Sequence, residues 1–274
     1  MDTKQELDTR GGADRPTACE PPGEKRRTLP GLSTPTARRD KAMSETPRPL
    51  LSILMPVLDE ERTLRTIIDR VLALPLDLEL VIVDDGSTDS TPEILAGIED
   101  PRVRRFRHEK NQGKGTAMRT AIEHARGEIM AMQDADLEYR PEEFVDLIKP
   151  IVEGEVKVVY GSRCLNPENA MKFDRFRFGS WVLTKMSNVL YGARLTDEPT
   201  CYKLWHRACT DGMKLRCTGF EFCPELTAKL RKRGYKIIEL PISYQGRTVE
   251  EGKKINWKDG VIGIWTLLKY RFCN

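Results

Sequence analysis

The chain alternates between short apolar runs and longer segments in which apolar residues recur every third or fourth position. Five segments are predicted strands, most of them nearly continuous Val, Ile and Leu; they span residues 51–57, 78–83, 103–108, 129–132 and 156–160. Each of the first four is followed by a segment with helical spacing or a helix-start signal. Repeated strand–helix units of this kind predict an α/β fold, in which a mostly parallel sheet carries helices on both faces.

The second half of the chain is less regular, but its pattern still predicts further helices and strands. Helices are expected at residues 181–191 and 220–233, and a strand within residues 196–206. A last strand is expected at residues 235–244, where Pro241 interrupts the run. Because proline cannot donate a ladder hydrogen bond, this strand is predicted to lie at an edge of the sheet.

The C-terminal segment, residues 257–272, is predicted to be an apolar helix with basic ends. It carries Trp257 and Trp265, and its polar residues include Lys258 and Lys269. Tryptophan and basic residues on an apolar helix are typical of seating at a membrane surface. A helix packed on the domain would show the same pattern, so the sequence leaves both interpretations open.

Composition divides the chain into three parts. Residues 1–48 are rich in Pro, Thr, Gly and charge without a sustained apolar period, which predicts a disordered arm without a secretory signal. Residues 49–255 form the expected folded domain, and residues 256–274 the C-terminal amphipathic helix. No apolar stretch reaches the roughly 18–20 residues that are needed to span a bilayer.

Charge is unevenly distributed along the chain. The net charge is +3, yet residues 226–274 contain 11 Lys and Arg against 4 Asp and Glu, a balance of +7. This basic end fits an anionic partner, either phosphates or an anionic membrane surface, or else a solvated basic face. The seven cysteines include no Cys-x-x-Cys pair, so we expect reduced thiols in a cytoplasmic protein.

Acidic residues follow two of the predicted strands directly. Asp84 and Asp85 come after the second strand, and Asp134 and Asp136 after the fourth. Since parallel strands end at one edge of the sheet, these side chains are expected to share a cleft. A carboxylate pair suits Mg²⁺ or Mn²⁺ together with a diphosphate, although an Asp-x-Asp sequence alone is more often a solvated loop.

Two common nucleotide-binding motifs are missing from the sequence. The segment Gly113-Lys114-Gly115 lacks the glycine-rich span and the Lys-Ser/Thr ending of a P-loop. The first strand is not followed by a Gly-x-Gly-x-x-Gly turn, which argues against a dinucleotide oxidoreductase.

Five motifs stand in order along the chain and together carry a family resemblance. They are Pro56-Val-Leu-Asp-Glu60, Val83-Asp-Asp-Gly-Ser-Thr-Asp89, Asn111-Gln-Gly-Lys-Gly115, Asp134-Ala-Asp-Leu-Glu138 with Pro141-Glu, and Gly161-Ser-Arg163. Over residues 51–255 the chain resembles the family 2 glycosyltransferases, and among them dolichol-phosphate mannose synthases and bacterial polyprenyl-phosphate glycosyltransferases. The resemblance implies the A-type glycosyltransferase fold, a nucleotide-sugar donor, Mg²⁺ or Mn²⁺, and inversion at the anomeric carbon. Residues 49–255 would then be the catalytic domain.

The resemblance also assigns donor-side residues. The nucleoside pocket would be lined by Pro56, Val57 and Glu60, and the base and ribose would meet Asp84 and Asp85. The donor diphosphate would bind at Asp134, Ala135 and Asp136, with Asp134, Asp136 and Glu138 as metal ligands. Two positions depart from the family pattern, because Asp59 stands where Asn is usual and Glu138 where Gln is usual.

Three basic residues are further donor-side candidates. Lys114 would lie near the diphosphate, although a solvated cation at a helix start is an equally simple interpretation. Arg247 and Lys254 belong to a segment that resembles a loop closing on the donor diphosphate. The serine usual in that loop is replaced here by Lys253.

Acceptor-side residues complete the predicted site. Arg163 and Arg177 match arginines that hold an acceptor phosphate, although a salt bridge or a surface charge would also explain them. Asp197 matches a position that faces acceptor and sugar, and it would be the general base if the acceptor were a hydroxyl; otherwise it would cap a loop. The predicted catalytic residues are Asp136, Asp197 and Arg163.

The leading hypothesis is transfer of a hexose from GDP-mannose or a UDP-sugar to a polyprenyl or dolichyl phosphate. The chain would act peripherally at the cytoplasmic membrane face, with or without a membrane partner protein, and no nucleic-acid partner is expected. The alternatives are transfer to a sugar hydroxyl in cell-surface polysaccharide synthesis and a non-catalytic nucleotide-sugar-binding subunit. A sugar nucleotidyltransferase is less favoured, because a glycine-rich loop is missing after the first strand.

Overall fold

The computed structural model describes residues 48–169, 175–247, 254 and 256–273, without the side chains of residues 175 and 176. The predicted N-terminal arm therefore lies outside the described residues, except for residue 48. Residues 45–274 form one compact unit.

The sheet has seven strands in the order β3-β2-β1-β4-β6-β5-β7. The strands are β1 (Leu51–Val57), β2 (Leu78–Asp84), β3 (Val103–Arg107), β4 (Ile129–Met132), β5 (Val158–Ser162), β6 (Lys203–His206) and β7 (Ile237–Pro241). Only β6 runs antiparallel to its two neighbours, β4 and β5. The described part of the chain thus confirms the predicted α/β fold with a mostly parallel sheet.

Eight α-helices accompany the sheet in the described residues. They are α1 (Leu64–Leu72), α2 (Thr91–Ala96), α3 (Lys114–His124), α4 (Phe144–Leu147), α5 (Lys149–Val152), α6 (Arg175–Tyr191), α7 (Phe222–Lys232) and α8 (Trp257–Phe272). Short 3₁₀ turns lie at Pro141–Glu143 and Arg207–Cys209. The apolar face of α1 shows how the helices join the core, since Leu64, Ile67, Ile68 and Val71 are all buried.

The predicted elements are present, with shifted ends. Strand β5 begins two residues later than expected because the amide of Val156 still belongs to the preceding turn, where it donates to the carbonyl of Pro150 (3.3 Å). Helix α6 begins at Arg175, six residues before its predicted start at residue 181. Strand β7 lies at the sheet edge, as predicted, but it spans Ile237–Pro241 and is shorter than the expected residues 235–244.

Strand register brings the acidic motifs to one edge of the sheet. Parallel pairing aligns Val57, the last residue of β1, with Asp84, the last residue of β2. On its other side β1 pairs in parallel with β4, which aligns Leu54 with Met132. The residues that follow β4, including Asp134 and Asp136, therefore emerge beside the end of β1.

Helix α8 packs one of its faces against α6 and α7. Leu267 and Tyr270 are buried in this contact, and the hydroxyl of Tyr191 on α6 donates to the carbonyl of Leu267 (2.5 Å). A capping box of Asn256 and Asp259 starts the helix. Among the described residues, no helix combines the length and the apolar character that a bilayer crossing requires.

Candidate active site

The nucleoside end of the cleft is built by the sharp turn after β2. Gly86 has φ +81°, and a Cβ at this position would lie 2.6 Å from the backbone of Lys110, so only glycine fits. The turn lets the amide of Ser87 donate to Asp84 Oδ1 (2.9 Å). The other carboxylate oxygen of Asp84 is buried without a hydrogen bond, 3.3 Å from Arg107 Nε. Asp84 therefore keeps an unused acceptor, which a base or ribose donor could satisfy.

Asp85, in contrast, is used by the protein itself. One of its oxygens accepts from the amide of Gln112 (3.0 Å) and lies 2.6 Å from His108 Nδ1, and the other accepts from the amide of Gly113 (2.7 Å). These contacts hold the turn that starts α3. The structure thus places Asp85 beside the cleft. Its oxygens, however, hold the loop that carries Lys114, so they already have protein partners.

The loop after β1 is locked to the loop after β2. Asp59 has φ +47°, in the left-handed region where Asn and Asp are the commonest non-glycine residues. Its carboxylate accepts from the amide of Thr88 (2.8 Å), and the carbonyl of Val57 accepts from the amide of Asp85 (2.8 Å). Aspartate tolerates this left-handed conformation as asparagine does, so Asp59 can stand where Asn is usual. Pro56 and Val57 are the last two residues of β1, and Val57 is buried.

Four carboxylates, which we call the acidic cluster, form the centre of the cleft: Glu60, Asp134, Asp136 and Glu138. Arg247 reaches three of them, since its Nη2 lies 2.6 Å from Asp136, its Nη1 3.1 Å from Glu60 and its Nε 3.6 Å from Glu138. Sequence separation gives no hint of this arrangement, because 187 residues separate Arg247 from Glu60.

The predicted basic residues contact the same cluster. Lys114 Nζ lies 2.5 Å from Asp134 Oδ1, and Lys254 Nζ lies 2.9 Å from Glu60 Oε1. Ala135, between the two aspartates, is buried, and its carbonyl accepts from the hydroxyl of Thr63 on the loop before α1 (2.9 Å). The structure therefore brings the predicted diphosphate-side residues into one place.

Asp136 shows that the acidic cluster is not fully neutralised. Burial, together with the negative charges of Asp134 and Glu138, raises the pKa of Asp136 to about 7 despite its contact with Arg247. At Asp134, burial opposes ionisation, but the Lys114 ammonium outweighs it and lowers the pKa. A further positive charge near Asp136 would therefore stabilise its ionised form.

The residues present fit a divalent cation in chemistry and charge. Hard carboxylate oxygens suit Mg²⁺ or Mn²⁺, and the excess negative charge at Asp136 favours a cation. Within the described residues, no three acidic, histidine or cysteine side chains stand ready to enclose an ion. Glu138 is engaged elsewhere, since its oxygens accept from the amide of Arg247 (2.7 Å) and the hydroxyl of Tyr244 (3.0 Å). Asp134 and Asp136 are engaged as well, by Lys114 and Arg247, so each of the three predicted ligands has a protein partner in this structure.

The acceptor end is organised around Arg163, which follows β5. Its Nε and Nη2 each donate to Asp197, at 2.7 Å, and its backbone amide donates to the same carboxylate (3.0 Å). Burial alone would raise the pKa of Asp197, but Arg163 outweighs this and lowers it. Asp197 is consequently a buried, ionised partner of Arg163.

Arg177 lies in the first turn of α6. Burial raises the pKa of the Cys164 thiol, and the positive charges of Arg163 and Arg177 both act on that thiol in the opposite direction. The two predicted acceptor arginines are therefore close enough to influence one neighbouring group.

Tyr244 links the two ends of the cleft, and the sequence interpretation did not include it. Its hydroxyl donates to Glu138 (3.0 Å), and its ring lies under the guanidinium of Arg163, 4.9 Å from centroid to Cζ. The only signal in the sequence was its place three residues before Arg247, in a segment interpreted as the end of a strand.

A buried lysine supports the loop that carries Asp197. Lys203 Nζ donates to the carbonyl of Glu198, lies 3.9 Å from the Glu198 carboxylate and stands 3.8 Å above the ring of Tyr160. Glu198 also accepts from the hydroxyl of Thr227 (3.0 Å). No sequence signal marked this pair, because the partner of a buried lysine is set by the tertiary fold.

Comparison with known proteins identifies the family of the chain. The profile of the family described as Glycosyl transferase family 2 matches residues 52–209, more than half of the chain. The chain is 32% identical, over 82% of its length, to a low-salt glycan biosynthesis hexosyltransferase, Agl6, of Haloferax volcanii, of which it covers 54%. It is 25% identical, over 70% of its length, to a UDP-N-acetylglucosamine–dolichyl-phosphate N-acetylglucosaminyltransferase of Methanococcus voltae, of which it covers 84%. The chain thus spans about half the length of the first relative.

The fold also has solved counterparts. Glucosyl-3-phosphoglycerate synthase of Mycobacterium tuberculosis, solved with Mn²⁺, UDP and phosphoglyceric acid, matches with a TM-score of 0.61 and 20% identity, over 82% of this chain and 80% of that one. This likeness confirms the A-type glycosyltransferase fold. Together with the family profile and the ordered motifs, it leads to one conclusion: the chain belongs to glycosyl transferase family 2.

Proposed function

We propose that the protein is an inverting, metal-dependent glycosyltransferase that moves a hexose from a nucleotide sugar to a polyprenyl or dolichyl phosphate. The observation that carries this proposal is the closeness of the acidic cluster to Arg163. Tyr244 contacts Glu138 of the acidic cluster and Arg163 of the acceptor end at the same time. A donor diphosphate with its cation and an anionic acceptor would therefore meet side by side.

The donor would bind along the ends of β1, β2 and β4. The open oxygen of Asp84 would accept a hydrogen bond from the base or ribose. The diphosphate would lie at Asp134 and Asp136, where a bound Mg²⁺ or Mn²⁺ would offset the negative charge of the leaving nucleoside diphosphate. The Mycobacterium tuberculosis neighbour, which was solved with Mn²⁺ and UDP, supports this assignment at the level of the fold.

Arg247 and Lys254 would add positive charge on the diphosphate side. Both contact Glu60 in the structure, and Arg247 also contacts Asp136. On donor binding, these side chains would leave the carboxylates and contact the diphosphate oxygens instead. They would stabilise the diphosphate more strongly as its bond to the sugar breaks. Lys114, beside Asp134, is placed for the same task.

The acceptor would be held by Arg163 and Arg177. Because a phosphate monoester is already anionic near neutral pH, its oxygen can attack the anomeric carbon without a general base. Asp197 would then orient Arg163, which fits its lowered pKa and its bidentate contact. The alternative, a hydroxyl acceptor with Asp197 as general base, is less supported, because Asp197 would have to leave Arg163 to accept a proton.

The relatives support a lipid-phosphate acceptor. The Methanococcus voltae relative is named for transfer to dolichyl phosphate, and a Rhizobium johnstonii relative, 27% identical over 72% of this chain, is named dodecaprenyl-phosphate galacturonate synthase. The two relatives transfer different sugars according to their names, so they do not indicate which sugar this chain would transfer. Within the proposal, residues 49–255 are the catalytic domain, and the enzyme works peripherally at the cytoplasmic membrane face, with a membrane partner protein as a further possibility.

The test is a transfer assay with the full chain and a polyprenyl phosphate. Labelled GDP-mannose, UDP-glucose and UDP-N-acetylglucosamine are supplied in parallel, with Mg²⁺ or Mn²⁺. We expect one donor to give a lipid-linked product with the opposite anomeric configuration, and Asp136→Asn to abolish it. The matched control is Asp146→Asn, which removes an exposed carboxylate outside the cleft. A fully active Asp136→Asn variant, or transfer only to sugar hydroxyls, would overturn the proposal.

A further inference from the structure

Helix α8 buries one face and exposes an unusually apolar second face. Trp257, Val261, Trp265, Leu268 and Phe272 recur at spacings of 4, 4, 3 and 4 residues, so they form one stripe along the helix. Three of them are strongly exposed: Trp257 is 72%, Trp265 65% and Phe272 83% accessible to solvent. The buried residues Gly263, Thr266, Leu267 and Tyr270 lie on the opposite side. This stripe is therefore not needed for packing within the chain.

Helix α6 carries a second group of exposed apolar side chains. Phe178 and Trp181 stack on each other with ring centroids 6.0 Å apart, and both are more than half exposed. Val189 continues their stripe two turns later. Three of the four tryptophans of the chain thus lie on exposed faces of α6 and α8, and the fourth, Trp205, is buried.

The two helices run side by side in the same general direction. A Cβ at Gly263 of α8 would lie 3.0 Å from Leu183 of α6, and further along both helices Tyr191 bonds to Leu267. Phe178 and Trp181 therefore lie at the same end as Trp257 and Val261. We call the exposed side chains of both stripes the α6–α8 surface; they are Phe178, Trp181, Val189, Trp257, Val261, Trp265, Leu268 and Phe272.

Basic side chains border this surface. On α8, Lys258 and Lys269 lie on one flank of the stripe and Arg271 on the other, all exposed. On α6, Lys185 lies within the stripe, 6.0 Å from the Trp181 ring. The single acidic residue in 256–273, Asp259, is used in the capping box that starts α8. Aromatic and aliphatic side chains with cationic flanks match the surface of an anionic bilayer.

The α6–α8 surface adjoins the acceptor end of the cleft. Thr184, one turn after Trp181, accepts a hydrogen bond from the amide of Glu198 (3.0 Å). Glu198 directly follows Asp197, which holds Arg163. Helix α6 is therefore tied to the loop that orients the acceptor arginine, and its first turns carry both Arg177 and the exposed aromatic pair.

We propose that the α6–α8 surface docks on a bilayer that contains anionic lipids, and that this contact presents the acceptor phosphate to Arg163 and Arg177. The inference deepens the proposed function and rests on its lipid-linked acceptor. A second copy of the chain suits the surface less well, because a symmetric contact would bring two like-charged basic flanks together. Docking through these side chains orients the cleft toward the leaflet that holds the acceptor.

The experiment measures binding of the full chain to vesicles of phosphatidylcholine with 30% phosphatidylglycerol, about one lipid in three. Flotation is combined with quenching of tryptophan fluorescence by brominated lipid. We expect binding that weakens with salt, and quenching of the exposed tryptophans. Trp265→Ser with Phe272→Ser should weaken partitioning about tenfold or more, because each change removes a large apolar side chain from the contact. Val152→Ser is the matched control, since Val152 is 55% exposed on α5, away from this surface.

A transfer assay separates this inference from the proposed function. Transfer to a long-chain polyprenyl phosphate embedded in vesicles should fall with Trp265→Ser/Phe272→Ser, whereas transfer to a short, water-soluble prenyl phosphate should remain unchanged. Vesicle binding without transfer to either acceptor would overturn the proposed function but leave the docking surface standing. Wild-type protein that does not bind vesicles, or a double variant that binds like Val152→Ser, would overturn the docking surface. Self-association that the same substitutions abolish, seen by analytical ultracentrifugation, would assign the surface to a second copy instead.

Discussion

Arg163 and Asp197 form a bidentate ion pair in which both guanidinium contacts measure 2.7 Å. Asp197 is buried, and the guanidinium of Arg163 stacks on the ring of Tyr244. A carboxylate that is committed to an arginine in this way is a positioning group. This ion pair therefore fits a site that holds an acceptor phosphate better than a site that deprotonates an acceptor hydroxyl.

Arg163→Lys should raise the KM for the acceptor with little effect on nucleotide binding. Lysine keeps the charge, but it can neither pair with both Asp197 oxygens nor stack on Tyr244. Loss of a charge-assisted contact of this kind corresponds to a KM increase of about tenfold or more. Steady-state kinetics with varied acceptor, together with calorimetry of the nucleoside diphosphate, measure the two effects. Arg65→Lys, in an exposed pair with Asp69, is the control; an equal loss of nucleotide affinity in the Arg163 variant would contradict the assignment.

The stability that Asp197 contributes should depend on pH. Arg163 lowers its pKa in the folded protein, so the contribution is fully present above the unfolded pKa of about 3.9 and is lost as pH falls through the lower folded value. Asp197→Asn should therefore cost on the order of 3 kcal/mol at pH 7. The difference from wild type should start to shrink below about pH 4 and should vanish only below the folded pKa, where Asp197 is protonated in both states.

Urea unfolding between pH 7 and pH 3 measures this prediction. Asp146→Asn serves as the control, because Asp146 is exposed and its removal should leave the pH profile nearly parallel to that of wild type. A pH-independent difference between Asp197→Asn and wild type would show that the loss comes from packing and not from the charge.

Arg247→Gln should tighten the binding of Mn²⁺ in the absence of nucleotide. Arg247 lies 2.6 Å from Asp136, and a cation there competes with a metal ion for the same carboxylate. A charge pair near a protein surface is worth about 1 to 4 kcal/mol, so we expect roughly tenfold tighter binding. Electron paramagnetic resonance of free Mn²⁺ during a titration reports the affinity without any turnover.

The same variant should transfer sugar more slowly, because the diphosphate loses a positive partner. Arg70→Gln is the matched control, since Arg70 pairs with Glu142 outside the acidic cluster. Mn²⁺ binding that weakens in Arg247→Gln would indicate that Arg247 shapes the metal site instead of competing with the ion.

Lys203→Met should destabilise the fold by about 3 kcal/mol, because it leaves the buried carboxylate of Glu198 without its cation. The double variant Lys203→Met/Glu198→Gln should recover much of this loss, since it removes the uncompensated charge. Urea unfolding of both variants measures the coupling. For comparison, Arg65→Met in the exposed pair with Asp69 should cost less than about 1 kcal/mol. Equal stability of the single and double variants would mean that the two charges do not interact.

Particular elements show what local pattern can predict. Strand β1 and helix α8 have the predicted ends, residues 51–57 and 257–272, because continuous burial and helical spacing are properties of consecutive residues. Asp84 and Asp134 were placed at one sheet edge because parallel strands share their direction. The start of α6 was misplaced, since residues 175–180 contain Gly179 and no capping signal.

By itself, the sequence determined the alternation of strands and helices, the order of the acidic motifs and the family to which they belong. Tertiary structure decided which charges meet. Arg247 reaches Asp136 across 111 residues, and Tyr244 reaches Glu138 across 106. Asp85 accepts hydrogen bonds from the loop before α3, whereas one buried oxygen of Asp84 accepts none. The reason is physical: burial and strand direction follow from neighbouring residues, but the partner of a charged side chain depends on distant segments that only the folded sheet brings together.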